Sequence, residues 1–206
     1  MDWFGKVGRY LMKNLSAIQT IIRDSISTKE KILNSPDLLS LIEKLAFLCL
    51  DSLRSGGKVI FAGNGGSFAD SQHLSAEFIS RLQFDRDPLA SIALGTNSSS
   101  TTAIGNDYGY DQVFVRELRA IAKPGDVYIP ISTSGNSKNI LETIPVAQSK
   151  ELKMIGLTGE SGGKLADMIE CIKIPSSRTE RIQESHIMIG HIVCGLVESI
   201  YFGPAE

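Results

Sequence analysis

From Lys58 onward, short β-branched or apolar runs alternate with helical stretches, and this alternation constrains the fold more than any other feature of the chain. The runs are Lys58–Ala62, Ala90–Leu94, Asp126–Ile131, Lys153–Leu157 and Cys171–Ile174. Helical patterns lie between them at Ser67–Leu82, Tyr110–Ala122, Asn136–Ser149 and Gly163–Met168. Brief, continuously apolar strands separated by helices belong to a parallel sheet covered on both faces. The expected fold is α/β: a doubly wound, Rossmann-like, five-stranded parallel sheet flanked by helices.

Residues 1–55 read as two helices for oligomerisation, and residues 56–206 as the α/β domain, the whole forming one structural unit. Leu11, Leu15, Ile18 and Ile22 repeat at four-then-three spacing, a narrow stripe suited to helix–helix packing. Ser35-Pro36-Asp37 marks a helix start: a hydroxyl cap, proline at the first helical position and an acid facing the dipole. Leu38, Leu41, Ile42, Leu45, Leu48 and Cys49 then form an apolar face that Gly56-Gly57 ends. A last helix from Glu180 to Tyr201 is expected to bury Ile189, Ile192, Val193, Leu196, Val197 and Ile200 along one face.

Composition excludes several classes. With 206 residues, 42% of them hydrophobic, the chain is long enough for a substantial core. A formal charge of −2 gives no basic footprint for nucleic acid. No run approaches the ~20 uninterrupted apolar residues of a membrane span, and Met1 to Lys13 does not read as a secretion signal. Cys49, Cys171 and Cys194 are far apart in apolar runs, without zinc-ribbon spacing. They are expected to be small hydrophobes in a reducing cytoplasm.

Ligands of an open parallel sheet bind at the carboxyl ends of its strands. After the first strand comes Gly63-Asn64-Gly65-Gly66-Ser67, running into a helix: glycines let backbone N–H groups approach a ligand, and the helix start favours an anion. It is not a dinucleotide fingerprint, because Phe68 stands where the third glycine belongs. Nor is Gly159-Glu160-Ser161-Gly162-Gly163-Lys164-Leu165 a Walker A loop, being one residue short with Leu in place of the magnesium-binding hydroxyl. After the third strand comes Ser132-Thr133-Ser134-Gly135-Asn136-Ser137, with more hydroxyls than a helix cap needs. Two polar, glycine-rich loops without Lys or Arg suit a small phosphorylated metabolite. His73 and Glu77 stand four apart on one helix face. Gln183, His186 and His191 lie on the last helix, where an apolar neighbourhood equally suits a core or interface histidine. Gln183 and His191 are about 12 Å apart in helix rise, so spacing alone establishes no metal site.

Taken in order, Gly63–Ser67, Asp70-Ser71-Gln72-His73-Leu74-Ser75-Ala76-Glu77, Gly105-Asn106-Asp107-Tyr108-Gly109, Ile131–Ser137 and Arg181-Ile182-Gln183-Glu184 with His191 resemble the phosphoheptose isomerases of the sugar isomerase (SIS) domain family. The resemblance spans nearly the whole chain. It implies isomerisation of sedoheptulose 7-phosphate to D-glycero-D-manno-heptose 7-phosphate, an early step towards bacterial surface polysaccharide. It implies a homotetramer with active sites between subunits, and one zinc per subunit held by His73, Glu77, Gln183 and His191. It implies sugar-phosphate contacts from Asn64, Gly65, Gly66, Glu77, Asn106, Asp107, Ser132, Thr133, Ser134, Ser137 and Gln183. Phe68-Ala69 and Glu180 depart from the pattern, standing where members carry His-Cys and Asp.

The chemistry fits those residues. Moving a carbonyl between C1 and C2 through an enediol needs a group to shuttle a carbon-bound proton and another to serve the oxygens. Glu77 and His191 are the catalytic pair, in either assignment of roles. Zinc can polarise the carbonyl and stabilise the enediolate; the mixed nitrogen and oxygen set would also accept other divalent ions. The rival reading is a non-catalytic SIS module that binds sugar phosphate in a regulatory role. Such a module has no chemical need of His73, Glu77, Gln183 and His191 together. An amino-sugar phosphate enzyme would need a further domain, for which 206 residues leave no room.

Overall fold

The computed structural model describes residues 3–203, with side chains from residue 14 onward. The side chains of residues 1–13, that of Leu11 in the predicted stripe among them, lie outside that description. Helix α1 spans Trp3–Leu33 and α2 Pro36–Arg54, followed by β1 Val59–Gly63, α3 Gly66–Ile79 and β2 Ser91–Ala93. Next come α4 Ser98–Tyr108, a 3-10 turn at Tyr110–Gln112, α5 Val113–Ile121, β3 Val127–Ile131, α6 Lys138–Leu141 and α7 Thr143–Ser149. The chain closes with β4 Lys153–Met154, β5 Gly156–Gly159, α8 Gly163–Met168, β6 Cys171–Ile174 and α9 Thr179–Phe202.

The strands pair in parallel in the order β2-β1-β3-β5-β6, and β4 pairs with β3 off that path. Among the described residues the sheet therefore has six strands, not five. The expected run Lys153–Leu157 divides at Ile155, which is fully buried between two short pairings.

Strand alternation builds the two layers. Val59, Phe61, Val127, Ile129 and Ile131 face the layer of α2, α3 and α9. Ile60, Ala62 and Tyr128 face that of α5, α7 and α8. Helix α2 begins as the sequence indicates, with Ser35 Oγ accepting from Leu38 N at 3.4 Å and Pro36 in the first turn. Its Ile42, Leu45, Ala46, Cys49 and Leu53 lie in the first layer, so this helix is part of the sheet's cover.

One helix was not foreseen, and two further expectations are corrected. Helix α4 falls on a segment whose hydroxyl-rich sequence gives no helical stripe, and none of its residues is buried. The helix expected over Asn136–Ser149 is two, divided at Glu142. On α9, Ile189, Val193 and Val197 are buried, whereas Ile192, Leu196 and Ile200 stay about two-fifths exposed, because one helix face cannot turn all six toward the sheet. Leu15, Ile18 and Ile22 of α1 are likewise exposed. By length and composition α9 could cross a membrane, but half of its most apolar window is buried within this fold.

Candidate active site

The strand order reverses between β1 and β3, and the loops that leave their carboxyl ends flank the resulting crevice. After β1, Gly65 takes φ +58° and ψ −120°, a conformation open to glycine and strained for other residues. The chain then folds back, Ser67 N donating to Asn64 O at 3.0 Å and Phe68 N to Gly65 O at 3.1 Å. Helix α3 starts immediately behind, with no side-chain cap on its first N–H groups.

After β3, Gly135 sits at φ +65°, and a Cβ there would fall 1.9 Å from Gly162 O. Only glycine lets the serine loop lie against the β5–α8 turn. Within the loop, the Ser132 and Ser137 hydroxyls are 3.0 Å apart and Ser134 Oγ accepts from Asn136 N at 3.1 Å. The helix behind is a single turn, α6, so the polar character of this loop comes from its hydroxyls more than from a helix dipole. Thr133, Ser134, Asn136, Ser161, Ser176 and Ser177 line a pocket of 270 Å³ at the ends of β3, β5 and β6. Ser176, Ser177 and Thr179 were not singled out in the sequence, although the strand-end rule applied to Cys171–Ile174 points at them.

Helices α3 and α9 approach closely, and the reason is Gly190. A Cβ on it would lie 2.3 Å from a methyl of Leu74, which is itself fully buried. That approach sets His191 beside His73, their rings edge to face with centroids 5.0 Å apart. His73 Nε2 lies 3.0 Å from Glu77 Oε1. One ligand atom from each of His73, Glu77 and His191 falls within 4.8 Å of the others, a set that could hold a metal ion. His191 Nε2 is buried without a hydrogen-bond partner. An imidazole nitrogen left so is costly unless a ligand takes it, and two imidazoles with a carboxylate are zinc-type donors, so these residues fit a divalent cation.

Gln183 sits at the other end of the same seam. A Cβ on Gly66 would meet Gln183 Nε2 at 2.4 Å, so the amide lies over the first turn of α3. Its neighbour Ile182 lines the serine-loop pocket. Asp70, one turn before His73, is pushed up to about 6 by burial, with His73 pulling the other way, and its Oδ2 is buried without a partner. His186 takes no part: it is fully buried, Nε2 lies 3.1 Å from Thr158 O, and burial lowers it to about 4, making it a neutral core histidine.

Asn64 is joined to Asn139 and Tyr110, two residues the sequence did not single out. Asn106 and Asp107 end α4 exposed, bonded to each other at 2.8 Å. Among the described residues, no hydrogen bond links them to either loop. The departing Glu180 is exposed and paired with Arg178, whose other arm holds Asp24 of α1 at 2.9 Å.

A family model described as the SIS domain matches residues 12–159. A phosphoheptose isomerase of Aneurinibacillus thermoaerophilus is 51% identical over 186 residues, covering 90% of this chain and 94% of the relative. Phosphoheptose isomerase 2 of Campylobacter jejuni is 50% identical over 194 residues, covering 93% and 96%. The solved structure of a phosphoheptose isomerase from Neisseria gonorrhoeae superposes with a TM-score of 0.84 at 39% identity, over 90% of this chain and 98% of that one. Its counterpart from Francisella tularensis gives 0.85 at 34% identity over the same shares. The fold, the two strand-end loops and these likenesses agree: the chain belongs to the SIS domain family and, within it, to the phosphoheptose isomerases.

Proposed function

We propose that this chain is an aldose–ketose isomerase that converts sedoheptulose 7-phosphate to D-glycero-D-manno-heptose 7-phosphate through an enediol, early in the supply of heptose for bacterial surface polysaccharide. The observation that carries the reading is the meeting of His73, Glu77 and His191. A binding module has no use for two imidazoles and a carboxylate converging on a buried, unpartnered nitrogen.

In this reading the phosphate rests on the hydroxyls of Ser132, Thr133, Ser134 and Ser137 and on the glycine loop at Asn64, Gly65 and Gly66. The Glu77 carboxylate takes the proton from the hydroxyl-bearing carbon and returns it to the former carbonyl carbon. His191 moves the matching proton between the two oxygens, so the reaction is redox-neutral overall. The opposite assignment balances equally. Asn106, Asp107 and Gln183 complete the substrate contacts.

His73, Glu77 and His191 would hold zinc, which when bound polarises the carbonyl and stabilises negative charge on oxygen; Gln183, expected as the fourth ligand, lies over the first turn of α3 within this chain. The exposed apolar residues of α1 and α9 support assembly as a homotetramer, with residues 1–55 serving that role. Three buried free thiols suit a cytoplasmic protein.

The deciding experiment incubates purified protein with sedoheptulose 7-phosphate and follows the aldose 7-phosphate by NMR, with and without added zinc. Turnover that Glu77→Gln reduces by at least about 10²-fold, in a protein that still folds, supports the reading. Binding of the sugar phosphate without any turnover moves the chain to the regulatory class.

A further inference from the structure

The hydrogen bonds at Asn64 leave it one site with which to serve a ligand. Its Nδ2 donates to Asn139 Oδ1 at 2.8 Å, and its Oδ1 accepts from Asn139 Nδ2 at 2.9 Å, so the two amides are reciprocally paired. The Tyr110 hydroxyl donates to the same Asn64 Oδ1 at 3.1 Å. A carboxamide offers two acceptor sites on its oxygen and two N–H donors. Three of those four sites are therefore engaged, and one polar site of Asn64 remains.

Turning both amides over together would preserve the reciprocal pair, so the pair alone does not fix the orientation. Nor does Tyr110, whose exposed hydroxyl can donate to the Asn64 oxygen or accept from its N–H; in either orientation the three side chains hold one another in place. The arrangement is also braced. Asn139 is 4% exposed, where an unpaired amide would be costly. Lys138, its neighbour, pairs with Asp111 at 2.5 Å, tying α6 to the 3-10 turn that carries Tyr110.

We infer that Asn139 and Tyr110 are positioning residues that hold the Asn64 side chain so that its one remaining polar site meets the substrate. The inference rests on the isomerase reading, in which Asn64 touches the sugar phosphate. It adds to that contact two residues that hold it in place.

The test is a kinetic double-mutant cycle on the sedoheptulose 7-phosphate reaction. Asn64→Ala and Asn139→Leu are each expected to lower kcat/KM about tenfold, and Tyr110→Phe about threefold, the range of one neutral hydrogen bond. In the Asn64→Ala background neither second change should lower it further, because both act through Asn64. Additive losses overturn the inference. If Asn139→Leu fails to fold, the exposed Tyr110→Phe decides by the same criterion. A wild-type protein that leaves the ketose phosphate unchanged overturns the isomerase reading instead, so the two failures are told apart.

Discussion

Gly190 of α9 lies against Leu74 of α3 so closely that a single added methyl would stand 2.3 Å from the leucine side chain. The candidate metal ligands His73 and His191 are the immediate chain neighbours of these two residues, so the contact sets the distance between them.

Gly190→Ala is therefore expected to part the two helices. Alanine's better helix propensity offsets part of the clash, leaving a net loss of about 1–2 kcal/mol in urea unfolding. Zinc affinity, measured by competition with a chromophoric chelator, should fall by about tenfold or more. A variant with unchanged zinc affinity would show that the helix spacing does not govern the site.

Ser134→Ala removes one hydroxyl from the pocket at the end of β3. Calorimetry with a sugar phosphate should show affinity lower by about three- to tenfold, with thermal stability unchanged. Unchanged affinity would place the phosphate elsewhere.

His186 makes stability depend on pH. Burial lowers it from an ordinary 6.5 to about 4, so between these values the unfolded chain binds a proton that the folded chain does not. By linkage, its contribution is fully present above pH 6.5 and is lost as pH falls toward 4, amounting to about 3 kcal/mol. Urea titrations at intervals across that window should show the decline, and His186→Gln should flatten it.

Ile18→Glu tests the exposed stripe on α1. If that face is an interface, sedimentation should show the assembly dissociating into smaller species while each subunit keeps its secondary structure. An unaltered profile would remove Ile18 from the contact.

The strands were legible because buried parallel strands are continuously apolar, as Val59–Gly63 and Val127–Ile131 are. Helix α4 was not, since a helix that buries none of its side chains carries no apolar stripe to detect. Both crevice loops followed from the strand-end rule, and the His73–Glu77 pair from four-residue spacing. The arrival of His191 beside them depended on tertiary packing at Gly190, which no local pattern encodes. Asn139 escaped notice because a buried amide inside a helix start looks like an ordinary polar residue until its partner is seen.

The three cysteines also give the chain a built-in clock. Burial pushes the Cys49 thiol up to about 12 and Cys171 up to about 11, and raises Cys194 as well, so almost no thiolate is present at neutral pH. Alkylating reagents consume thiolate, and must therefore wait for the structure to open. Cys49 and Cys194 lie in the layer of α2, α3 and α9, while Cys171 lies on the opposite face of the sheet. The order in which the three are labelled in the native protein would time the opening of each side of the sheet separately, with no probe added to the sequence.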